Sequence, residues 1–289
     1  MNAPGPAAGR RFGARLAAAV AEHGPLCAGI DPHAALLAAW GLPDDAAGVE
    51  RFGRTVVEAL AGSVAALKPQ AAFFERHGSR GLAALERVIA DARDAGVLTL
   101  VDAKRGDIGS TMAAYADAFA GDSPLAGDAV TASPYLGFGS LRPLLDVAAA
   151  HGRGVFVLAL TSNPEGPGVQ HALGPDGRSV ARAVAEAAAA ENAGAPPAGD
   201  VGLVVGATVG TAVTDLGIDL AAVNGWLLAP GVGAQGATAE DLRTVFGDAR
   251  HRVLAASSRE VLAAGPAPAA LRGAARRSAD AVRAALAQG

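Results

Sequence analysis

The stretch Leu98-Thr99-Leu100-Val101-Asp102-Ala103-Lys104-Arg105-Gly106-Asp107 passes from an apolar run into four charged side chains within a few residues. Its apolar start predicts a buried strand over Leu98–Asp102, and the charges follow where that strand ends. Side chains two positions apart on a strand share a face, so Asp102 and Lys104 are expected to point the same way. Asp107 follows in the loop at the same end. The stretch therefore predicts a strand that brings charge to one edge of a sheet.

Seven further apolar runs have a similar form and alternate with helical patterns. These predicted strands are Leu26–Ile30, Val64–Lys68, Asp128–Ala132, Val155–Leu160, Val201–Val205, Trp226–Ala229 and Arg252–Ala256. The helical patterns between them include Gly48–Gly62, Gly81–Ala95, Ser110–Ala120, Leu141–His151 and Arg178–Asn192. Strands that alternate with helices favour a parallel sheet. Eight such units in 289 residues fit an α/β fold of the (β/α)8 barrel type better than an open doubly wound sheet, which is the alternative.

The domain organisation follows from the same patterns. We expect a single (β/α)8 barrel over residues 1–289, with an N-terminal helix at about 10–23 and a C-terminal helix at about 266–289. The arginine-bearing C-terminal stretch is interpreted as a solvated terminal helix. Asn163–Gly177 is rich in glycine and proline and predicts a long loop and candidate lid, and Asn192–Asp200 predicts a linker.

Composition excludes several classes of protein. Apolar residues make up 51% of the chain, so a sizeable core is available and intrinsic disorder is excluded. The net charge is −4, with 24 basic and 28 acidic residues interspersed, which is not a nucleic-acid footprint. No stretch approaches the roughly 20 apolar residues of a membrane span. The single cysteine, Cys27, fits a reducing compartment. We therefore expect a soluble, cytoplasmic protein with neither nucleic acid nor membrane as a partner.

Lysine is scarce in this sequence. Of the 24 basic residues only two are lysine, Lys68 and Lys104, and both fall at predicted strand ends, where barrel enzymes place their active sites. Lysine, unlike arginine, has a pKa that its surroundings can tune for proton transfer. Alternating charges at Lys68, Asp102, Lys104 and Asp107 would keep the lysines protonated, supply a general acid and discourage a bound carboxylate. The alternative is that both lysines are chance remnants of an arginine-rich composition, or structural ion-pair partners.

The run from Asp102 to Ile108 resembles the Asp-x-Lys-x-x-Asp motif of the orotidine 5′-phosphate decarboxylase family, in its longer bacterial branch. The similarity extends from about Leu26 to Pro266. The matching segments are Gly29–Pro32, Leu67–Gln70, Thr131–Gly137, Leu160–Pro164, Ala229–Gly236 and Ser257–Arg259. Because they occur in order at successive predicted strand ends, the resemblance is strong.

The resemblance implies an activity and a catalytic set. It implies decarboxylation of orotidine 5′-phosphate to uridine 5′-phosphate (UMP) and CO2, the final step of de novo UMP biosynthesis, without cofactor or metal. Lys104 matches the lysine that protonates C6 of the pyrimidine, Asp102 the carboxylate beside the substrate carboxylate, and Lys68 the lysine that holds this charge array. Asp107 and Thr111 match residues contributed across a homodimer interface to the neighbouring active site.

The resemblance also implies a set of substrate-binding residues. Asp31 matches a ligand of a ribose hydroxyl, and Ser162 matches a contact to the pyrimidine base, followed by a lid loop. Gln235 and Arg259 match phosphate ligands, assisted by the backbone near Gly233 and Ser258.

Three alternatives remain open at this point. The run Gly231–Gly236 also fits the Gly-x-Gly-x-x-Gly dinucleotide pattern, but no acidic residue ends the next predicted strand, which favours a barrel phosphate site. A magnesium-dependent sugar-phosphate decarboxylase or hexulose-phosphate synthase shares the Asp-x-Lys-x-x-Asp motif. A non-catalytic nucleotide-binding barrel is the third.

Overall fold

A computed structural model of the chain describes residues 11–232 and 237–287. Within these residues, parallel strands pair in sequence order and the last pairs with the first, which closes a barrel. The strands are β1 (Leu26–Ile30), β2 (Ala66–Pro69), β3 (Leu98–Arg105), β4 (Ala129–Ala132), β5 (Gly154–Leu160), β6 (Val201–Val205), β7 (Leu227–Pro230) and β8 (Val253–Ser257). The predicted (β/α)8 barrel is confirmed, and the open sheet is wrong.

One helix precedes β1, and helical segments follow every strand. They are α1 (Phe12–His23), α2 (Ala34–Ala39), α3 (Ala46–Leu60), α4 (Ala72–Glu75), α5 (Gly78–Asp94), α6 (Gly109–Ala120), α7 (Arg142–Ala150), α8 (Pro167–Gln170), α9 (Val180–Glu191), α10 (Ala212–Asp215), α11 (Ala239–Phe246), α12 (Arg259–Leu262) and α13 (Pro268–Ala287), with 3₁₀ turns at Phe138–Leu141 and Gly247–Arg252. The segment Asn163–Gly177, predicted as a loop, contains the short helix α8, and Leu173 pairs with Ser179 in an isolated bridge.

The end of β3 differs from the prediction. The strand was expected to end at Asp102, but it continues to Arg105, which pairs with Ala132 of β4. The pairing with β4 shifts register between Val101 and Arg105. Lys104 therefore lies inside an irregular part of the strand, two residues beyond its predicted end.

Alternation along the strands sorts their side chains into two cores. Inward-facing residues from all eight strands form one apolar cluster inside the barrel, and their neighbours pack outward beneath the helices. The strand residues of the inner cluster include Cys27, Ala66, Leu100, Ala129, Phe156, Val204, Leu228 and Leu254. Two residues further along, the same alternation brings Lys68, Asp102 and Thr131 into the next inward-facing layer, toward the carboxyl ends of the strands.

Helix α1 covers the amino-terminal end of the barrel. The ring of Phe12 meets Phe156 edge to face, with ring centroids 6.0 Å apart. The indole nitrogen of Trp226 donates to the Gly13 carbonyl oxygen at 3.1 Å. Gly13 approaches the chain so closely that a Cβ would lie 2.4 Å from the carbonyl oxygen of Ala198. Apolar packing thus closes this end, and the charged layer lies toward the opposite one.

Helix α13 packs along α3 through an apolar face that includes Leu271, Ala275 and Val282. Its arginines Arg276, Arg277 and Arg283 are exposed. The interpretation as a solvated terminal helix therefore describes one face alone. Over residues 11–232 and 237–287, no helix is both long and apolar enough to cross a membrane.

Candidate active site

A cavity of about 340 Å³ lies at the carboxyl ends of the strands and is lined by residues of β2 to β8 and by Asp31, which follows β1. It brings together seven residues predicted from the sequence. These are Asp31, Lys68, Asp102, Lys104, Ser162, Ser258 and Arg259. The position is the one that barrel enzymes use for chemistry.

Asp102 lies at the centre of the polar half of this cavity. Its Oδ1 accepts from Lys104 Nζ at 2.5 Å and from Thr131 Oγ1 at 2.8 Å. Its Oδ2 accepts from Lys68 Nζ at 2.9 Å and from Gln70 Nε2 at 3.2 Å. A carboxylate offers about four acceptor positions. The hydrogen-bonding capacity of Asp102 is therefore filled by the protein itself.

Burial and charge oppose each other at this site. Asp102 is 7% exposed; burial alone would raise the pKa of its carboxyl, but Lys68 and Lys104 outweigh that effect and lower the pKa to about 2. Burial would lower the pKa of Lys68, but the charges of Asp102 and Asp31 outweigh it and raise that pKa. Asp102 and Lys68 are consequently both ionised at neutral pH.

The two lysines differ in exposure. The side chain of Lys68 is 10% exposed, whereas that of Lys104 is 44% exposed. Lys104 also has a left-handed backbone, with φ at 47°, and its N–H donates to Thr131 Oγ1 at 2.9 Å. Lys68 is thus a fixed buried counter-charge, whereas the Lys104 ammonium faces the cavity.

The part of the cavity lined by β5, β6 and β7 is apolar. The lining residues of these strands include Leu158, Leu160, Val204 and Leu228. An apolar wall beside polar groups at fixed positions is typical of a small-molecule site.

Asp31 and Ser258 lie side by side across Gly29. A Cβ on Gly29 would lie 2.7 Å from the Cβ of Ser258 and 3.1 Å from Asp31 Oδ2, so only glycine fits between them. Asp31 Oδ1 and Ser258 Oγ are buried and have no hydrogen-bond partner among the described residues. Buried polar atoms usually have partners. The hydrogen-bonding capacity of these two atoms is therefore not used within the described residues.

The predicted phosphate site is described in part. Arg259 begins α12 and lines the cavity next to Ser258. Gly233 and Gln235 lie outside the described residues. The flanking Val232 lines the cavity as well. The described part of this site therefore lies at the ends of β7 and β8, where barrels commonly bind phosphate.

The cavity of this chain does not include Asp107 or Thr111. The carboxylate of Asp107 accepts the N–H of Ile108 at 2.8 Å, and Thr111 is exposed in the first turns of α6. The predicted bonded array is therefore correct for Lys68, Asp102 and Lys104 but does not extend to Asp107 within one chain. That Asp107 and Thr111 serve a neighbouring subunit's site stays a prediction.

The segment after β5 is tied together at its two ends. The N–H of Thr161 donates to Gln170 Oε1 at 2.9 Å, and Gln170 Nε2 donates to Thr161 Oγ1 at 2.7 Å. Between them Ser162 is exposed at the cavity rim, in the position expected of a ligand contact.

Three residues at this site, Thr131, Gln70 and His33, received no role in the sequence analysis. Thr131 and Gln70 lie within the matching segments, yet no function was assigned to them, although both bond Asp102. Strand alternation was the available signal, because it places Thr131 on the same inward face as Ala129. His33 also lines the cavity, with its ring 4.3 Å from that of Phe73.

Fold and site together define a class. A closed parallel barrel with a buried carboxylate between two lysines at the carboxyl ends of its strands is the arrangement of a (β/α)8-barrel enzyme with preorganised charge at its active site.

Comparison with known proteins identifies the family. The model of the orotidine 5′-phosphate decarboxylase / HUMPS family matches residues 24–274. A Salinispora arenicola protein named orotidine 5′-phosphate decarboxylase is 64% identical over 276 residues, which cover 95% of this chain and 98% of that protein. The chain belongs to the orotidine 5′-phosphate decarboxylase / HUMPS family.

Solved structures agree with this assignment. A structure from Streptomyces avermitilis is 60% identical, with 96% of each chain covered and a TM-score of 0.92. The OMP decarboxylase of Leishmania donovani is 32% identical, with 96% of this chain and 99% of that chain covered and a TM-score of 0.74.

Proposed function

We propose that this chain is a carboxy-lyase that converts orotidine 5′-phosphate to UMP and CO2, the decarboxylation step of pyrimidine biosynthesis, with Lys104 as the proton donor and no cofactor. The observation that carries the proposal is the bonded array of Lys68, Asp102 and Lys104 at the cavity of a barrel from this family.

The chemistry needs charge stabilisation more than it needs a cofactor. The bond from C6 to the carboxylate breaks, its electron pair stays on C6, and CO2 leaves. The ammonium of Lys104 then gives its proton to C6, and the neutral amine regains a proton from solvent. One proton is consumed and nothing is oxidised or reduced. The developing carbanion lacks an ordinary carbonyl sink, so preorganised charge has to supply much of the barrier lowering, which for enzymes is about 8–23 kcal/mol.

Asp102 and Lys68 prepare Lys104 for this step. With a pKa of about 2, Asp102 is ionised at neutral pH and holds the Lys104 ammonium in the cavity. Lys68 favours the ionised form of Asp102 through the buried ion pair. The same carboxylate puts negative charge near the position proposed for the substrate carboxylate, where it disfavours that group relative to the carbanion.

Contacts to the parts of the substrate that lie away from C6 orient the pyrimidine in the active site. We assign Asp31 to a ribose hydroxyl, Ser162 to the pyrimidine base, and Arg259 with Ser258 to the phosphate, together with Gly233 and Gln235. An arginine is suited to phosphate because its guanidinium forms charge-assisted paired hydrogen bonds. Binding energy at the phosphate serves to fix the base against Lys104.

The proposal includes a cytoplasmic homodimer. Asp107 and Thr111 are assigned to the neighbouring subunit's active site. The support for this is that both residues lie outside the cavity of their own chain, and that Ile108, beside Asp107, is 62% exposed.

The test is ultraviolet absorbance of orotidine 5′-phosphate incubated with the purified protein in excess EDTA. We expect rapid turnover by the unaltered protein and none by a folded Lys104→Ala variant. Turnover that requires magnesium and a sugar-phosphate substrate would establish the alternative enzyme class. Tight binding of nucleoside monophosphates without turnover would establish a non-catalytic barrel.

A further inference from the structure

Thr131 is an almost fully buried hydroxyl beside the charge array, 1% exposed on β4. We propose that Thr131 is a positioning residue that holds Lys104 in its proton-donating geometry. The inference rests on the proposed decarboxylation, and it concerns a residue that neither touches C6 nor carries charge.

One hydroxyl bonds two parts of the site. Thr131 Oγ1 donates to Asp102 Oδ1 at 2.8 Å, the same oxygen that accepts from Lys104 Nζ at 2.5 Å. The Thr131 oxygen in turn accepts the backbone N–H of Lys104 at 2.9 Å. Thr131 therefore fixes the main chain of Lys104 directly and its ammonium through Asp102.

Lys104 needs such a constraint because its backbone conformation is unfavourable. Its φ is 47°, in a left-handed region that non-glycine residues rarely adopt because it is strained. The surrounding β3–β4 pairing shifts register between Val101 and Arg105, so regular strand pairing does not impose the local geometry. At this irregularity the hydroxyl oxygen of Thr131 accepts a hydrogen bond from the Lys104 N–H.

The consequence for catalysis is specific to the proton-donating step. Without the hydroxyl, the Lys104 N–H loses its partner and the backbone is free to leave the left-handed region. The ammonium then shifts relative to C6, and displacement of a reacting group by about 1 Å costs roughly 100-fold in rate. The ligand groups of Asp31 and Arg259 lie on other segments of the barrel and keep their positions.

The test compares substitutions that differ in the hydroxyl alone. Thr131→Val keeps the shape of the side chain, and we expect kcat to fall roughly 10- to 100-fold, the range for a lost hydrogen bond to a charged group. The affinity for UMP, measured by calorimetry, should stay within about threefold, because the loss is in the transition state. Thr131→Ser should retain most of kcat.

Thr99→Val is the matched control. Thr99 is 2% exposed, and its hydroxyl has no hydrogen-bond partner among the described residues. It is a buried strand threonine like Thr131, so loss of its hydroxyl should leave kcat unchanged. Equal effects of Thr99→Val and Thr131→Val would overturn the proposal, as would a Thr131→Val variant with kcat close to that of the unaltered protein.

Two further measurements test the proposal even if Thr131→Val does not fold. If Thr131→Val does not fold, Thr131→Ser and Thr131→Ala are compared, and equal kcat values for the two would overturn the proposal. A crystal structure of the Thr131→Val or Thr131→Ala variant supplies a readout besides turnover: Lys104 should take a negative φ. An unchanged Lys104 backbone would overturn the inference even if the proposed substrate is wrong. An inactive unaltered protein in the same assay counts against the proposed function instead.

Discussion

Lys68 Nζ donates to Asp102 Oδ2 over 2.9 Å, and the two side chains are 10% and 8% exposed. Removing a lysine and a carboxylate from water costs several kcal/mol for each ion, and their attraction repays this only when their other hydrogen bonds are satisfied. Asp102 meets that condition through its three additional donors. The buried pair therefore fixes the position of the Asp102 carboxylate, and this carboxylate in turn binds the more exposed ammonium of Lys104.

A first prediction separates the charge of Lys104 from its proton. Lys104→Arg keeps a cation near Asp102, but a guanidinium, with a pKa above about 12, does not readily release a proton. We expect kcat for orotidine 5′-phosphate to fall by at least about 100-fold, the lower end of general acid catalysis. Retention of near-normal kcat in Lys104→Arg would show that charge alone suffices and that Lys104 is not the proton donor.

A second prediction concerns acid stability. The pKa of Asp102 is lowered from 3.8 to about 2 in the folded protein, so its ionised form stabilises the fold above about pH 4. That contribution is lost as the pH falls toward 2, and it amounts to about 2 kcal/mol of the free energy of unfolding. Asp102→Asn should be less stable at neutral pH by about 3–5 kcal/mol, because Lys68 loses its buried partner.

The measurement is urea unfolding of the unaltered protein and of Asp102→Asn between pH 5 and pH 2. The difference in unfolding free energy should shrink as the pH falls. Asp94→Asn, at the exposed end of α5, is the control and should stay within about 0.5 kcal/mol of the unaltered protein. A difference between Asp102→Asn and the unaltered protein that is constant with pH would contradict the lowered pKa.

A third prediction tests the shared site. Alone, Lys104→Ala should have no turnover and Asp107→Ala should be weakly active. In a mixed dimer, one of the two sites combines an intact Lys104 with an intact Asp107 from the partner chain. After full subunit exchange, activity should recover to about a quarter of the normal value, because half of the dimers are mixed. Proven exchange without recovery would place Asp107 in its own subunit's site.

A fourth prediction concerns the closed end of the barrel. Phe12 is 1% exposed and packs against Phe156, so Phe12→Ala should lower the free energy of unfolding by about 3–5 kcal/mol. The KM for orotidine 5′-phosphate should not change, since the cavity lies at the other end. Leu173→Ala, at a side chain that is 70% exposed, is the control for stability. Equal stabilities of the two variants in urea would show that α1 does not support the barrel.

Local sequence determined most of the fold. β1 and β6 lie at their predicted bounds, and these apolar runs are delimited by Pro25 and Asp31 and by Asp200 and Gly206. The periodicity of such a run and the residues that end it are both visible within a few positions of the sequence. The strand can therefore be predicted locally. The restriction of lysine to Lys68 and Lys104 likewise predicted two cations that line the cavity.

The end of β3 was decided by tertiary structure. The strand was predicted to end at Asp102, but Arg105 pairs with Ala132 and forms an ion pair with Glu75 of α4. These partners are distant in the sequence, so no local pattern contains them. The left-handed backbone of Lys104 has the same origin.

The residues of the site also divide into those that the sequence identifies and those whose contacts only the tertiary structure shows. Residue types and the resemblance of motifs to a known family identified seven residues that line the cavity, because charged groups at strand ends are unusual enough to be noticed. Thr131 was passed over because threonine is an ordinary strand residue. Its hydrogen bond to Asp102 arises only when strand pairing brings β2, β3 and β4 side by side, so that one carboxylate takes hydrogen bonds from all three strands or their immediate ends. Sequence determined which groups are present, and long-range strand pairing decided which of them bond, because hydrogen bonds and ion pairs depend on distances that only the closed barrel sets.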